Sequence, residues 1–417
     1  MNKLGSHAVK VAVCIIMMLS GSIHSRCAAD GTRDADGELY KQIELLSDTI
    51  SIVQADYVEE IEPQKLVYGA LKGMLSSLDG YSQFMDPDSF REMNIETKGE
   101  FGGLGIEIGV RDGVLTVIAP MDGTPAQRAG LKSGDKIVKI SGELTEGVTL
   151  IEAVKKLRGK PKTTIDLTIL REGEEKLLDF TIERSIIKLN SIKMAKMLEG
   201  MIGYIKIVEF QRKTESDLEK HLSDFKKEGV LGLILDLRNN PGGLLDAADG
   251  VSDKFLDKDK VIVLLKGRIP KQNKVFKSSG KNNFTDFPMV VLVNKGSASA
   301  SEIVAGAIQD NKRGIILGTT TFGKGSVQTV VPLSDGSAAR ITTAAYYTPS
   351  GRSITDKGII PDVEVELIEE PEIKEKEDVF KKLKKDKPIE TGDVMYDNQI
   401  RTAISLLKGM LLYKDRI

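Results

Sequence analysis

From residue 186 onward, five short apolar runs at 202–208, 231–237, 261–265, 289–293 and 314–317 alternate with helical stretches near 216–227, 244–255 and 302–309. Strands alternating with helices in this way restrict the region to a layered α/β architecture. Two further runs, 327–333 and 338–346, are joined by Ser334-Asp-Gly336 and predict a hairpin. Ahead of this region the texture differs. Between 99 and 185, short alternating strands are punctuated by glycine: Gly103-Leu-Gly-Ile-Glu-Ile108, Val114-Leu-Thr-Val-Ile118, a turn at Gly123-Thr-Pro-Ala126, a helix over 150–157 and a strand over 165–170. A separate β-rich domain is expected there.

N-terminal to both, residues 38–60 and 63–78 carry apolar side chains at helical spacing: Ile43, Leu46, Ile50 and Val53 in the first, Leu66, Ala70, Leu71 and Met74 in the second. Packing or self-association accounts for such faces better than chemistry does. Residues 79–88 read as a turn-rich connection. Residues 364–390 are dense in Glu and Lys, the composition of a solvated helix or linker, and an amphipathic helix over 399–412 closes the chain. The expected organisation is a leader (1–29), a helical region (30–98), the β-rich domain (99–185), the α/β core (186–366) and a charged linker with a C-terminal helix (367–417).

The leader reads as a secretory signal: Lys3 and Lys10, an apolar run over 11–19, then small and polar residues to Ala28-Ala29. The apolar run falls short of the roughly 20 residues that an ordinary transmembrane helix needs. Cleavage after Ala29 would remove Cys14 and Cys27, the only cysteines, and with them any disulfide, thiol nucleophile or thiolate metal site. A lipid anchor on Cys27 is the competing reading, opposed by the polar His24-Ser-Arg26 before it. The expected location is periplasmic or extracytoplasmic, with membrane association only before the leader is cut. Lys and Arg total 59 against 61 Asp and Glu, a net charge of -2, which excludes a global field favouring nucleic acid or anionic membranes and points to a polypeptide or small-molecule partner. No cofactor and no metal are expected.

Histidine is scarce: of three, His7 and His24 lie in the leader, leaving only His221 for any Ser-His-Asp arrangement. Ser299 stands in Asn294-Lys-Gly-Ser-Ala-Ser-Ala-Ser-Glu302, and Lys324 in Thr321-Phe-Gly-Lys-Gly-Ser-Val-Gln328. A lysine can replace histidine as base when burial lowers its pKa, as in Ser-Lys hydrolases. Ser299-x-x-Glu302 before an apolar helical run is also a capping-box signature, so a helix cap and a nucleophile both fit Ser299. The two are compatible, because a helix N-terminus offers free N–H groups to a developing oxyanion. A phosphate-binding loop around Lys324 is opposed by Gly325, which stands where that motif needs a hydroxyl residue. If the segment is extended, Lys324, Ser326 and Gln328 share one face, and Gln328 could orient the lysine amine. Asp236-Leu-Arg-Asn-Asn-Pro-Gly-Gly243 follows an apolar strand and precedes a helix; it either exposes a glycine N–H to a bound carbonyl or is a tight connection only.

The β-rich segment resembles a PDZ domain. That resemblance implies that the loop Gly103, Leu104, Gly105 and Ile106 directs N–H groups at the C-terminal carboxylate of a peptide added as a strand. Leu150, Val154 and Leu157 would wall its side-chain pocket, although the same three also fit a plain core. The motifs ending in Gly243, Glu302 and Gln328, together with Tyr347-Thr-Pro-Ser-Gly-Arg352, resemble the carboxyl-terminal processing, or tail-specific, protease family over about residues 39–365. The resemblance implies Ser299 as nucleophile, Lys324 as general base and Gln328 as its orienting partner. It also implies oxyanion donors at the N–H of Ala300 and of Gly242 or Gly243, on a crotonase-like, ClpP-related α/β core. The activity implied is that of a serine endopeptidase cutting polypeptides near their C-termini. Expected partners are polypeptides with accessible C-termini, an activating or adaptor protein, and further copies of the chain through the terminal helical segments. Two rivals, a catalytically inactive PDZ scaffold and a ligand carrier on the same fold, should have lost the Ser-Lys pair; Ser299, Lys324 and Gln328 are all present.

Overall fold

In the computed structural model, residues 30–111, 113–281, 283–368 and 397–414 are described. The leader and most of the charged stretch after 366 lie outside them. The chain divides into two units, residues 1–70 and 71–417. The first holds the helix Asp30–Asp56 and the start of a second, Pro63–Ser76. Leu39, Tyr40, Ile43, Leu46 and Ile52 on the first helix are exposed.

In the second unit, residues expected to form only a turn-rich connection lead into a helix, Pro87–Lys98. The Asp86 side chain accepts from Ser89 N at its start, Pro87 occupies the first turn, and Gly99 ends it in a left-handed conformation. Its few apolar residues gave periodicity nothing to detect.

The β-rich domain follows. Five antiparallel strands lie side by side in chain order, Ile106–Arg111, Val114–Pro120, Lys136–Ile140, Thr164–Leu170 and Leu178–Glu183, with the short strand Glu143–Leu144 on the third. The helix Leu150–Leu157 is fixed by a Thr149–Glu152 capping box and packs Ala153 and Leu157 into a core of Val117, Ile137, Leu167 and Ile169. An antiparallel ribbon of Glu100–Gly103 and Ser185–Lys188 closes the domain where the chain enters and leaves it.

The core sheet runs Ile192–Leu198, Ile202–Ile207, Gly232–Asp236, Met289–Val293, Ile315–Gly318 and Val363–Glu364. Its first pair is antiparallel and every later pair parallel. Both faces are covered, as a parallel sheet requires. Leu233, Leu235, Val291 and Val293 meet the helices Thr214–Lys227, Leu245–Asp253 and Ala300–Asp310 on one side; Ile234, Val290 and Leu292 meet the helix Asn398–Lys414 on the other. The run at 261–265 does not join this sheet. As Val261–Gly267 it enters a second, antiparallel sheet beside Ala338–Tyr347. Gln83–Met85 and Ser326–Pro332 also pair with Ala338–Tyr347.

Candidate active site

Two connections leave the carboxyl ends of neighbouring parallel strands, where α/β sheets place ligands. One follows Gly232–Asp236 and carries 237–243; the other follows Met289–Val293 and carries 294–299. They brace each other. Asn239 N donates to Asn294 Oδ1 and Asn294 Nδ2 to Asn239 Oδ1, both at 2.9 Å. Ser297 Oγ donates to Leu237 O at 2.8 Å and Ser301 Oγ to Asn240 O at 2.9 Å. The serines on either side of Ser299 are thus structural ties.

Beneath the first connection, Asp236 and Arg238 form a buried pair. Arg238 also donates to Asp397 and Gln399 at the start of the C-terminal helix, and Tyr204 Oη donates to Asp236 Oδ2 at 2.7 Å. Burial works against the Asp236 charge, but the Arg238 guanidinium holds it below the usual carboxylate range.

Ser299 precedes the helix Ala300–Asp310 with φ 55 and ψ -113, a conformation that costs a non-glycine residue free energy and persists only where its surroundings impose it. Half of the expected capping box forms. Ser299 N donates to Glu302 Oε2 at 2.8 Å, while the Ser299 hydroxyl does not cap the helix. Instead the Tyr346 hydroxyl donates to Ser299 Oγ at 2.8 Å.

Glu302 does more than cap. Fully buried, its carboxylate also accepts from Thr321 Oγ1 at 2.6 Å, Gly323 N at 2.7 Å and Lys324 N at 2.9 Å. One side chain therefore fixes the Ser299 and Lys324 segments to each other. Gly325 is required by close approach: a Cβ there would stand 2.4 Å from Thr355 Oγ1.

Lys324 is half-buried, with Nζ 5.0 Å from the centre of the Tyr81 ring. Burial, reinforced by the Arg340 charge and opposed by Glu302, draws its ammonium below the usual lysine range. Among the described residues its amine has no hydrogen bond to Ser299 or Gln328. Gln328 Nε2 donates to Ser326 Oγ at 2.8 Å and to Thr342 Oγ1 at 3.4 Å. Ser326 and Gln328 do share a strand face, but Lys324 lies before the strand begins at Ser326.

Gly242 packs against the serine; a Cβ on it would lie 2.8 Å from Ser299 Cβ and 3.0 Å from Ala300 N, and its φ is +108. Its N–H is already given to Asn240 Oδ1 at 2.9 Å. The N–H groups of Gly243 and Ala300 have no partner among the described residues. His221 lies elsewhere, on the helix Thr214–Lys227, in a cleft with Lys98, Lys193 and Lys220.

In the β-rich domain, Leu104, Gly105, Ile106, Val154 and Leu157 line one cleft of about 80 Å³, with Phe101, Ile108 and Arg158. Gly103 and Leu150 lie outside that lining; Leu150, on the first turn of its helix, is exposed. The N–H groups of Leu104 and Gly105 have no backbone partner among the described residues, while the Gly105 carbonyl is held by Met121 N at 2.8 Å.

Sequence reasoning missed two participants. Glu302 was visible only as a cap, and its bonds to 321–324 follow from tertiary folding. Tyr346 lies 47 residues from Ser299, with no local signal to mark it.

Similarity to known proteins extends along most of the chain. Residues 201–365 match peptidase family S41, residues 92–170 a PDZ domain, and residues 16–89 the N-terminal domain of the activating protease CtpB. The chain is 48% identical over 341 residues to a carboxy-terminal-processing protease of Bartonella bacilliformis, covering 80% of this chain and 77% of that protein. It is 36% identical to the carboxy-terminal processing protease CtpB of Bacillus subtilis, over 81% of this chain and 71% of that one. With CtpA of the same organism it shares 35% identity, over 88% and 76%. The chain belongs to the carboxy-terminal-processing protease family and is an exported serine-type endopeptidase that carries a PDZ domain.

Proposed function

We propose that Ser299 is the nucleophile, Lys324 the general base, and the N–H groups of Ala300 and Gly243 the oxyanion donors. The observation that carries this reading is the pair of unpartnered N–H groups beside a strained serine, with a desolvated lysine held on the same carboxylate as that serine. Gly242 contributes shape rather than a donor, since Asn240 already occupies its N–H. In acylation, Ser299 Oγ bonds to the scissile carbonyl carbon, its proton passes to Lys324 Nζ, and the carbonyl oxygen becomes an oxyanion facing the two N–H groups. Collapse breaks the C–N bond, and Lys324 returns the proton to the leaving amine. For this transfer the amine must come within hydrogen-bond reach of Oγ. Gln328 would orient the lysine by accepting from its amine at Oε1, since its bond to Ser326 uses Nε2.

The substrates are polypeptides cut near their C-termini, with the tail entering the cleft between Ile106 and Val154 and its carboxylate meeting the Leu104 and Gly105 N–H groups. The small volume of that cleft favours a small aliphatic last residue. The parallel sheet with helices on both faces supports a crotonase-like, ClpP-related core. Boundaries near residues 99 and 186 would set off the β-rich domain, while the helix Asn398–Lys414, assigned with the linker from 367, packs on the core sheet and belongs with the core. The exposed apolar face of Asp30–Asp56 supports self-association through the terminal helices, and an activating or adaptor protein would act through the PDZ domain.

Cleavage kinetics of Ser299→Ala, Lys324→Ala and the double variant test the assignment. Each single change should lower kcat by at least about 10³-fold and the double should be scarcely worse, because groups that act as one unit are not additive. Multiplicative losses, or a His221→Ala variant as poor as Ser299→Ala, would reject it.

A further inference from the structure

The tyrosine on the serine is the feature that the Ser-Lys scheme leaves unused. Tyr346 is 3% exposed, and a buried phenol normally finds a partner for its hydroxyl. Its partner here is Ser299 Oγ, at 2.8 Å. The same residue is tied to the other half of the site: Tyr346 N donates to Gly325 O at 2.9 Å, next to Lys324. It is held from behind by the strand Val261–Gly267, on which Leu265 is its register partner. Its hydroxyl is therefore aimed by two strands and a loop. Burial raises the phenol pKa above its ordinary value, so the hydroxyl keeps its proton throughout the working pH range.

The geometry points to Tyr346 as a further catalytic residue, whose hydroxyl donates to Ser299 Oγ during attack. This rests on the Ser-Lys reading above and adds a third group to it. A serine oxygen has two lone pairs and one proton. With Tyr346 donating to one lone pair, the other is free for the carbonyl carbon, and the proton is left for Lys324. As that proton departs, negative charge grows on Oγ, and the phenol hydrogen bond strengthens with it. Tyr346 neither gains nor loses a proton at any step; it stabilises the alkoxide-like oxygen and fixes its direction. The oxyanion donors act on the substrate oxygen, and this donor acts on the nucleophile.

The test uses the full chain and a chromogenic or fluorogenic peptide with a free C-terminus. Tyr346→Phe keeps the ring and removes only the hydroxyl. Loss of one donor to a reacting oxygen should lower kcat by about 10- to 100-fold, with KM nearly unchanged. The pH-rate profile should fall by a constant factor without a shift in its lysine limb, because Lys324 is untouched. Labelling of Ser299 by a fluorophosphonate should slow in parallel. A fluorinated tyrosine at position 346, with a more acidic phenol, guards against a folding defect: it should add a falling limb at high pH as the donor proton is lost. A kcat within about twofold of the parent, a faster Tyr346→Phe enzyme, or a fluorotyrosine enzyme without the new limb would each overturn the inference. Full activity in Ser299→Ala would instead overturn the Ser-Lys reading itself.

Discussion

The α/β core and the inserted PDZ domain are held together by different means. In the core, all five residues of Met289–Val293 are buried, because helices cover both faces of the sheet. In the PDZ domain, Thr164–Leu170 buries Ile165, Leu167 and Ile169 and turns the residues between them outward or toward the rim. Polar contacts divide in the same way. The core loops hang on buried carboxylates, Glu302 with four donors and Asp236 with Arg238. The PDZ helix instead meets the helix Pro87–Lys98 through Lys155–Asp88 and Arg158–Glu92, and Lys213–Glu100 sits at the ribbon; these pairs are partly or well exposed. Removing one member of a buried charged network costs about 3–5 kcal/mol, whereas exposed pairs contribute little. The chemistry is thus set by many mutually dependent groups. The side-chain pairs between the PDZ helix and the helix Pro87–Lys98, by contrast, exchange easily with water.

Glu302→Ala leaves three N–H groups and the Thr321 hydroxyl without their acceptor in a buried site, at about 1–3 kcal/mol for each donor left unsatisfied. A stability loss of several kcal/mol in denaturant unfolding is expected, together with cleavage reduced at least about 10³-fold as the Ser299 and Lys324 segments separate. A variant that unfolds at the parent's midpoint would show that the core is not held in the way described.

A smaller and more specific effect concerns pH. As the proposed base, Lys324 must be neutral to accept a proton, so activity should rise with pH through an apparent pKa below the ~10.4 of free lysine. After burial itself, the Arg340 charge is what lowers that pKa. Arg340→Gln should therefore move the rising limb to higher pH, costing activity below the limb while leaving the plateau nearly intact. Arg340→Lys keeps the charge and should keep the limb. A limb that stays fixed in Arg340→Gln would remove Arg340 from the electrostatics of the site.

The two regions were also legible to different degrees. The core strands announced themselves because burial on both faces demands continuous apolar runs, and the helix 150–157 because Leu150, Val154 and Leu157 recur at helical spacing. The helix Pro87–Lys98 was hidden by its polar composition, with no fully buried residue. The run 261–265 is as apolar as its neighbours, and only pairing with Ala338–Tyr347 sends it to the second sheet. In the site, motifs brought Ser299, Lys324 and the glycines into view. Which glycine N–H is free depended on the Asn240 side chain, and the serine's partner came from a distant strand. Local chemistry is written locally; satisfaction of donors and acceptors is decided by the whole fold.

Lys155 reaches from the PDZ helix to Asp88 on the helix Pro87–Lys98, and both side chains are about half exposed. Lys155→Ala should give no resolvable change in Tm, since solvent screening leaves such a pair little weight. If the pair biases domain orientation, the stimulation of an untailed reporter by a separate tail peptide should change a few-fold, while kcat without the peptide stays the same. High salt should make the parent behave like the variant, because screening at 1 M acts within about 3 Å. Amidating the tail peptide should abolish stimulation in both proteins by removing the carboxylate that the Leu104 and Gly105 N–H groups would receive. A large Tm loss in Lys155→Ala would place the PDZ domain among the over-determined parts of the molecule. Stimulation that resists both mutation and salt would leave its orientation to the ribbon of Glu100–Gly103 and Ser185–Lys188 alone.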